Sequence, residues 1–255
     1  VTMDEQFHVY ENGYVVLEGN TILETGEGEG PADADGTVDG KNGILMPGMI
    51  NTHCHIPMIP FRSLGDDCPD RLRRFLFPLE LEAMNRELIG QSTRYGVCEL
   101  LLSGVTSVLD MYYFEDQVAA ACEEMGIRAY VGQTIIDMET CDSKNTDQSL
   151  AMCEELIRKW KGHERIRPVV APHATNTNPP EVLKAAYELA ERYDVPYTLH
   201  VSEMDYELEM FREKYDQTPA EFLYRLGVLG ERTIAAHCIH MTDRDVEIFR
   251  ETGAK

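Results

Sequence analysis

Two histidines one residue apart are the first residues in this chain whose types and spacing could do chemistry. The stretch PGMINTHCH, residues 47–55, ends in His53 and His55. The mostly apolar residues 44–50 predict a short buried strand. Because side chains alternate between the two faces of a strand, both imidazoles are expected on one side and Cys54 on the other. Such a pair can bind a metal ion through its ring nitrogens, or it can be two polar residues where a strand leaves the core.

Three further histidines stand where later apolar runs end. His173 lies in APHA, His200 in LHVSE and His237 in AHCIH. Functional side chains of α/β folds collect at the C-terminal ends of parallel strands, so these imidazoles are expected on one rim with His53 and His55. Imidazoles gathered in this way favour a metal site over a packed core. We predict that His53, His55 and His200 are metal ligands.

Glu203 follows His200 by three residues, just beyond the predicted strand. Beside a metal, a carboxylate at this place could take a proton from water and pass it to a leaving group. Away from a metal it would be an ordinary solvated glutamate on a loop, so the metal prediction favours the catalytic role. Asp110 ends another apolar run and is predicted to brace the end of its strand.

Strands and helices alternate from residue 47 onward, and these elements must position the rim. After the first strand, apolar runs predict strands at residues 104–110, 127–136, 166–171, 196–201 and 233–239. Helical patterns lie between them, with start signals at Asn178 before two prolines, at Thr218 three residues before Glu221, and at Thr242 or Asp243. Repeated strand–helix units predict a parallel sheet covered by helices. We count six such units.

Residues 1–46 have a different pattern from the rest of the chain. Short β-prone runs are separated by the turn pairs Asn12-Gly13 and Gly19-Asn20. The stretch GEGEGPADADGTVDGKNG then supplies almost no core-forming residues. We predict that residues 1–46 form part of a small antiparallel β domain and that residues 47–255 form the main domain.

Composition limits the partners of the chain. Its 255 residues carry a net charge of −22, which repels nucleic acid and anionic membranes. The seven cysteines are scattered without C-x-x-C pairs, which predicts reduced thiols and a cytoplasmic location. No apolar stretch approaches the length of a membrane span.

Six motifs make the sequence resemble the amidohydrolase superfamily. They are PGMINTHCH, FPLELE, SGVTSVLDMYYF, VVAPHA, LHVSE and AAHCIHMTD. Within the superfamily the sequence is most similar to S-adenosylhomocysteine/5′-methylthioadenosine deaminases and related triazine hydrolases. The resemblance implies an α/β fold of the (β/α)8 TIM-barrel type, of which six units are visible, with a small β-sandwich built from both chain ends.

The resemblance also implies roles for individual residues. His53, His55 and His200 match metal ligands, Glu203 matches the general acid/base, and His237 matches a histidine that orients the attacking water and the departing group. Glu80 in FPLE matches a carboxylate that meets the ribose hydroxyls, and His173 matches a histidine near the substrate. The implied reaction is attack of a metal-activated water on the purine C6 with release of ammonia. The implied cofactor is one divalent ion, predicted to be Zn²⁺, although the ligands also suit Fe²⁺, Mn²⁺ and Co²⁺.

Two features depart from the family pattern. The family has a further metal-site aspartate at the end of the eighth strand, and the sequence stops at Lys255 before such a strand. We therefore expect a portion of a longer protein, with a shortened, inactive relative as the alternative. Relatives that bind homocysteine use arginines between the third and fourth strands, and residues 137–150 contain none. This weakens the assignment to S-adenosylhomocysteine.

The favoured function is hydrolytic deamination of an aminopurine nucleoside such as adenosine, methylthioadenosine or S-adenosylhomocysteine. A first alternative is displacement of chloride or an alkylamine from a triazine-like ring. Glu203 speaks against the chloride version, because chloride needs no proton to leave. A second alternative is a non-catalytic barrel. The complete set of predicted catalytic and metal residues argues against it. The expected partner is a small-molecule substrate, and a homo-oligomer is possible from the sequence.

Overall fold

The computed structural model describes all residues 1–255 and divides them into two compact units, Val1–Met49 and Ile50–Lys255. In the first unit, β1 (Gly13–Glu18) pairs antiparallel with β2 (Thr21–Glu27). Gly19 turns the chain between them with a φ of +59°, a conformation that favours glycine. The predicted turn at Gly19-Asn20 is therefore confirmed. The assignment of residues 1–46 to a β-sandwich domain stays a prediction.

The second unit is built on six strands that form one sheet in chain order, from β3 to β8. They are β3 (Met49–Cys54), β4 (Val105–Tyr112), β5 (Arg128–Ile135), β6 (Ile166–Pro172), β7 (Tyr197–Val201) and β8 (Thr233–His237). The recorded pairings from β4 to β8 are parallel. The sheet curves into a nearly closed barrel, which confirms the predicted α/β barrel class.

Helices follow each strand of the barrel. They are α1 (Phe77–Ala83), α2 (Arg86–Leu102), α3 (Glu115–Met125), α4 (Thr146–Trp160), α5 (Pro180–Tyr193), α6 (Asp205–Tyr215), α7 (Pro219–Leu226) and α8 (Asp243–Thr252). A 3-10 turn at Ile56–Phe61 and a π-helical turn at Leu72–Leu76 precede α1. No helix is both long and apolar enough to cross a lipid bilayer.

The first barrel strand begins later than the sequence indicates. The prediction placed it at residues 44–50, but β3 starts at Met49 and runs through His53. Pro47 has no N–H to give to a neighbouring strand, and Ile44 is 83% exposed instead of buried. The prediction of a buried strand at residues 44–48 is therefore wrong. The position of both histidines at the end of the strand is unaffected.

Helix start signals in the sequence agree closely with the structure. Thr218 and Thr242 each form a complete capping box with the residue three positions later. Asn178 was predicted to start α5, but Pro179 occupies the N-cap position. The Asn178 side chain instead donates a hydrogen bond from its amide nitrogen to the carbonyl oxygen of Ile135 at 3.0 Å.

Close packing fixes the strand ends that carry the site. Two apolar clusters fill the space between sheet and helices, and β4, β5, β6 and β7 each contribute fully buried side chains. A Cβ atom on Gly132 in β5 would come within 2.6 Å of Ala171 in β6. Gly96 likewise lets α2 approach Ile56, which follows directly after the first histidine pair. The two glycines thus allow close packing of β5 against β6 and of α2 against the turn after β3.

Candidate active site

Four imidazole rings from three strand ends meet at one place. The His53 ring centroid lies 4.9 Å from that of His55, 4.8 Å from that of His200 and 5.0 Å from that of His237. The His200 and His237 rings are 5.2 Å apart and nearly parallel. A ligand nitrogen from each of His53, His200 and His237 lies within 4.8 Å of the other two. The barrel therefore brings together the imidazoles that the sequence places far apart.

His55 is oriented by the neighbouring strand. Its Nδ1 lies 2.6 Å from the carbonyl oxygen of Met111 in β4. Because a carbonyl can only accept, Nδ1 carries the hydrogen and Nε2 keeps its lone pair. His53 Nδ1 is buried and has no hydrogen-bond partner. Burial, followed by the nearby His55 and His237, lowers the pKa of His53 to about 3.

His200 in β7 is oriented in the same way by the end of the neighbouring strand, β6. Its Nδ1 lies 2.5 Å from the carbonyl oxygen of His173, which follows β6. This contact again leaves Nε2 with the free lone pair. Burial is the main cause that holds the pKa of His200 well below its ordinary value, and the neighbouring histidines add to it. His200 is thus kept neutral.

The histidine cluster fits a divalent metal ion. A neutral imidazole nitrogen is the form that binds metal, and burial favours that form for His53 and His200. The hydrogen bonds of His55 and His200 to carbonyl oxygens are the kind of outer contact that orients metal-binding histidines. The unpartnered Nδ1 of His53 is a buried polar atom for which the protein itself supplies no partner. Nitrogen donors of this kind suit Zn²⁺, and also Fe²⁺, Mn²⁺ and Co²⁺.

Glu203 lies beside His237 at the edge of the cluster. Its Oε2 lies 3.7 Å from Nε2 of His237, and the two side chains are 32% and 28% exposed. His237 itself has a φ of +70°, a left-handed conformation that is strained for a side chain of this size. The structure therefore brings together a carboxylate and an imidazole at the edge of the cluster.

Glu207 was missed by sequence reasoning and holds Glu203 in place. Its Oε2 accepts the Glu203 N–H at 2.9 Å, and its Oε1 accepts the Ser202 N–H at 3.2 Å. Thr175 also donates to it. Glu207 is only 2% exposed, and Ser202 adopts a φ of +50°. No motif marks Glu207, because its role depends on a turn between β7 and α6 that the sequence does not reveal.

Glu80 lies on α1 and reaches the site through Tyr112. The Tyr112 hydroxyl donates to Glu80 Oε1 at 2.6 Å, and the Tyr112 ring is 6.2 Å from that of His55. Burial raises the pKa of Glu80 to about 7, although hydrogen bonds from Tyr112 and Tyr113 oppose the rise. The carboxyl group is therefore near the cluster, and its pKa is held well above the ordinary value.

His173 borders the cluster and a cavity. Its ring lies 4.7 Å from that of His200 and 5.7 Å from that of Phe77, and its Nδ1 is 3.0 Å from the Thr177 hydroxyl. Burial is the main cause that lowers the pKa of His173 to about 3. Phe77 and Thr177 also line a cavity of about 660 Å³ at the ends of β5 and β6. His173 therefore contacts one imidazole of the cluster and two residues of the cavity wall.

Other polar residues near the strand ends make contacts outside the set of imidazoles. His240 Nδ1 is 3.2 Å from Asp205 on α6. Asp66 and Asp67 are exposed in the loop before α1. Asp110 is completely buried at the end of β4 and accepts a hydrogen bond from the Ile56 N–H at 2.5 Å.

Comparison with known proteins relates this arrangement to one family. The sequence model of the Amidohydrolase family matches residues 44–255. A 5-methylthioadenosine/S-adenosylhomocysteine deaminase of Caldanaerobacter subterraneus is 38% identical over 251 residues, which cover 97% of this chain and 57% of that protein.

Two solved structures are similar to this chain. An adenosine deaminase from Xanthomonas campestris with bound zinc superposes with a TM-score of 0.79 at 32% identity, covering 82% of this chain and 48% of that one. A triazine hydrolase from Arthrobacter aurescens shares the fold, with a TM-score of 0.86 at 22% identity over 99% of this chain and 61% of that one. The chain thus spans between 48% and 61% of the length of these proteins.

Proposed function

The chain belongs to the amidohydrolase family, and we propose that it carries out the hydrolytic deamination of an aminopurine nucleoside such as adenosine, methylthioadenosine or S-adenosylhomocysteine. The observation that carries this proposal is the meeting of four imidazoles with Glu203 at the ends of the barrel strands. The deaminase names of relatives that align with most of the chain support it.

His53, His55 and His200 are the proposed metal ligands. The carbonyl contacts of His55 and His200 leave their Nε2 atoms free to bind, and His53 Nδ1 is buried without a hydrogen-bond partner. A divalent ion held there would supply Lewis-acid chemistry, which makes water easier to deprotonate near neutral pH. The ion is proposed to be zinc, which the related adenosine deaminase contains.

Glu203 is the proposed proton carrier. A purine ring nitrogen must gain a proton as water adds to C6, and the amino group must gain one to leave as ammonia. Glu203 Oε2 faces the cluster beside His237 Nε2, and Glu207 fixes the Glu203 backbone. His237 orients the attacking water and the departing group from the same edge.

Glu80 and His173 are the proposed substrate contacts. The Tyr112 hydroxyl donates to Glu80 Oε1, and because a carboxylate has about four acceptor sites, the group is proposed to accept from a ribose hydroxyl as well. His173 stands at the cavity that Phe77 lines. An aromatic wall of this kind suits a flat heterocycle.

Two cations at the cavity favour a nucleoside whose 5′ substituent carries a carboxylate. Residues 137–150 contain no arginine, but Arg73 and Lys214 line the cavity from two other elements. The Arg73 guanidinium stacks 4.6 Å above the Tyr206 ring and is 3.9 Å from the nearest Asp70 oxygen. In a chain with a net charge of −22, these side chains give S-adenosylhomocysteine a partner for its carboxylate.

Arg73 can be tested with two substrates that differ only in the tail. We expect Arg73→Met to lower kcat/KM for S-adenosylhomocysteine by about 10–100-fold, because a hydrogen bond to a charged group is lost. The value for uncharged methylthioadenosine should hardly change. Arg74→Met is the matched control, since Arg74 follows in the same turn but does not line the cavity. An equal loss for both substrates would contradict a role in tail recognition.

Ammonia release by the zinc-loaded, full-length protein tests the reaction itself. The panel contains adenosine, methylthioadenosine, S-adenosylhomocysteine, adenine, guanine, cytosine and an aminotriazine. We expect ammonia from the adenosine group and a loss of at least about 100-fold in Glu203→Gln, which cannot carry the proton. Glu209→Gln, on α6 outside the cluster, is the control. Silence on every nucleoside from a protein that holds zinc would refute the deaminase proposal.

A further inference from the structure

Three hydrogen-bond donors from two parts of the barrel meet at the buried side chain of Glu207. The N–H of Glu203 donates to its Oε2 at 2.9 Å, and the N–H of Ser202 donates to its Oε1 at 3.2 Å. The Thr175 hydroxyl donates to Oε1 as well. Thr175 follows β6, whereas Ser202 and Glu203 follow β7. Glu207 therefore joins the ends of two neighbouring strands.

The turn that leads from β7 to Glu203 depends on such outside contacts. Ser202 is completely buried and has a φ of +50°, which is an uncommon conformation for a residue with a side chain. Its own hydroxyl has no hydrogen-bond partner and so does not stabilise the turn. The Ser202 carbonyl oxygen accepts the His240 N–H at 3.0 Å. The two N–H groups of the turn are left to Glu207.

Thr175 brings the wall of the cavity into this arrangement. It lines the cavity of about 660 Å³ described above and is itself buried. Because a hydroxyl has a single hydrogen, which here goes to Glu207, Thr175 does not donate to a bound molecule at the same time. Asn176, which also lines the cavity, places its amide nitrogen 3.4 Å from the Tyr206 hydroxyl in the first turn of α6. The cavity wall thus contacts the start of α6 at two places.

We propose that Thr175 and Glu207 are a positioning pair, which connects the cavity wall to the backbone of Glu203 and thereby sets the direction of the Glu203 side chain. The pair acts through Glu203 and carries no proton itself. Its effect on ammonia release rests on the proposed function, whereas its hold on the Glu203 backbone does not.

Glu207→Gln is the sharpest change, because it keeps the size of the side chain and removes one acceptor. A glutamine has one oxygen and one NH2 group where the glutamate has two oxygens. In either orientation of the amide, the N–H of Glu203 or that of Ser202 faces the NH2 group and loses its acceptor. We expect kcat for methylthioadenosine to fall by about 10–100-fold in the zinc-loaded, full-length protein, with KM nearly unchanged.

Thr175→Val removes only the hydroxyl from the pair. It should lower kcat by about 3–10-fold without raising KM, because Glu207 keeps both backbone N–H groups. Thr175→Ser, which restores a hydroxyl, should recover most of this loss. Thr93→Val is the matched control, since the Thr93 hydroxyl is also buried but donates to the Ile89 carbonyl oxygen at 2.7 Å within α2. It should have the kcat of the wild type.

A double variant shows whether Glu207 acts through Glu203. The side chain in Glu203→Gln cannot carry the proton, so its direction no longer matters. Adding Glu207→Gln to Glu203→Gln should therefore cause little further loss of kcat. A further loss as large as that of Glu207→Gln alone would contradict action through Glu203.

Hydrogen–deuterium exchange of the metal-free protein tests the hold on the backbone without the reaction. The fragment that contains Ser202 and Glu203 should exchange at least about tenfold faster in Glu207→Gln than in the wild type, because one of its N–H groups has lost its acceptor. The same fragment in Thr93→Val should exchange as it does in the wild type. Exchange in Glu207→Gln that is as slow as in the wild type would overturn the hold on the backbone.

The kinetic outcomes are equally decisive. An unchanged kcat in both Glu207→Gln and Thr175→Val would overturn the positioning pair. So would a higher KM with an unchanged kcat in Thr175→Val, which would place the hydroxyl on the substrate. If Glu207→Gln does not fold, Thr175→Val and Thr175→Ser still decide. A wild type that holds zinc and releases no ammonia would refute the proposed function, while the exchange rates would still report on the Glu203 backbone.

Discussion

Backbone carbonyl groups determine which nitrogen of His55 and of His200 is available to a metal. The two histidines could be predicted from their places at strand ends in the sequence. Their carbonyl partners could not, because Met111 is 56 residues from His55 and His173 is 27 residues from His200. Such contacts depend on the register of neighbouring strands, which a single sequence does not give.

Among the carboxyl groups near the site, some could likewise be predicted from the sequence and others could not. Glu80 and Glu203 were predicted from motifs, and the structure places both beside the imidazole cluster or one tyrosine away from it. Glu207 carries no motif, and only its burial and its hydrogen bonds to backbone N–H groups reveal its role. A glutamate in a helical pattern is normally interpreted as solvent-exposed, so no sequence signal marks it.

Glu80 should make the stability of the protein depend on pH. Its pKa in the folded chain is raised from 4.5 to about 7, because burial disfavours the charged form. The stabilisation from the protonated group is therefore fully present below pH 4.5 and is lost as the pH rises through 7. In Glu80→Gln there is no proton to lose. Between pH 5 and pH 8.5 the wild type should lose more free energy of unfolding than Glu80→Gln, by on the order of 3 kcal/mol.

Denaturant unfolding at the two pH values measures this difference. Glu82→Gln is the matched control, because Glu82 lies on the same helix and is exposed. It should keep the pH dependence of the wild type. Equal pH dependence in Glu80→Gln and the wild type would show that Glu80 does not carry a raised pKa.

At the scale of elements, strands with continuous apolar runs and helices with capping signals were predictable. The strands β4 to β8 and the capping boxes of α7 and α8 agree with the sequence patterns. The segment between residues 55 and 83 was not resolved into helices from the sequence. Pro57, Pro60 and Pro78 interrupt its apolar spacing, and its first two turns are 3-10 and π-helical. Regular periodicity cannot mark such turns.

Asp245 should join the starts of two helices. Its carboxylate accepts the Thr242 N–H at 2.8 Å within α8 and the Thr218 hydroxyl of α7 at 2.5 Å. It is completely buried. The Thr242 hydroxyl also lies 2.8 Å from this carboxylate. Asp245→Ala removes all three contacts and should lower the free energy of unfolding by roughly 2–4 kcal/mol.

A second aspartate in the same turn provides the comparison. Asp243 is exposed at the first position of α8. Asp243→Ala should cost less than about 1 kcal/mol, because it loses only an interaction with the helix dipole. Urea unfolding distinguishes the two variants, and equal losses would contradict the role of Asp245 as a link between helices.

At the scale of the whole molecule, repetition made the fold predictable. Six strand–helix units in chain order can form a parallel sheet whose C-terminal ends share one edge, and the structure has that topology. The placement of four imidazoles on this edge follows from topology alone. Their distances do not, since they depend on how far the sheet curves and on close contacts such as Gly132 with Ala171.

A zinc titration of the metal-free, full-length protein, with ammonia release from methylthioadenosine as the readout, tests the central claim most directly. The account predicts that activity rises in proportion to added zinc and stops rising at about one equivalent per chain, and that His53→Ala shows no such rise. His8→Ala, which changes an exposed histidine paired with Asp4, should behave as the wild type does. Ammonia release that is independent of zinc, or zinc binding at this stoichiometry without any ammonia, would contradict the account.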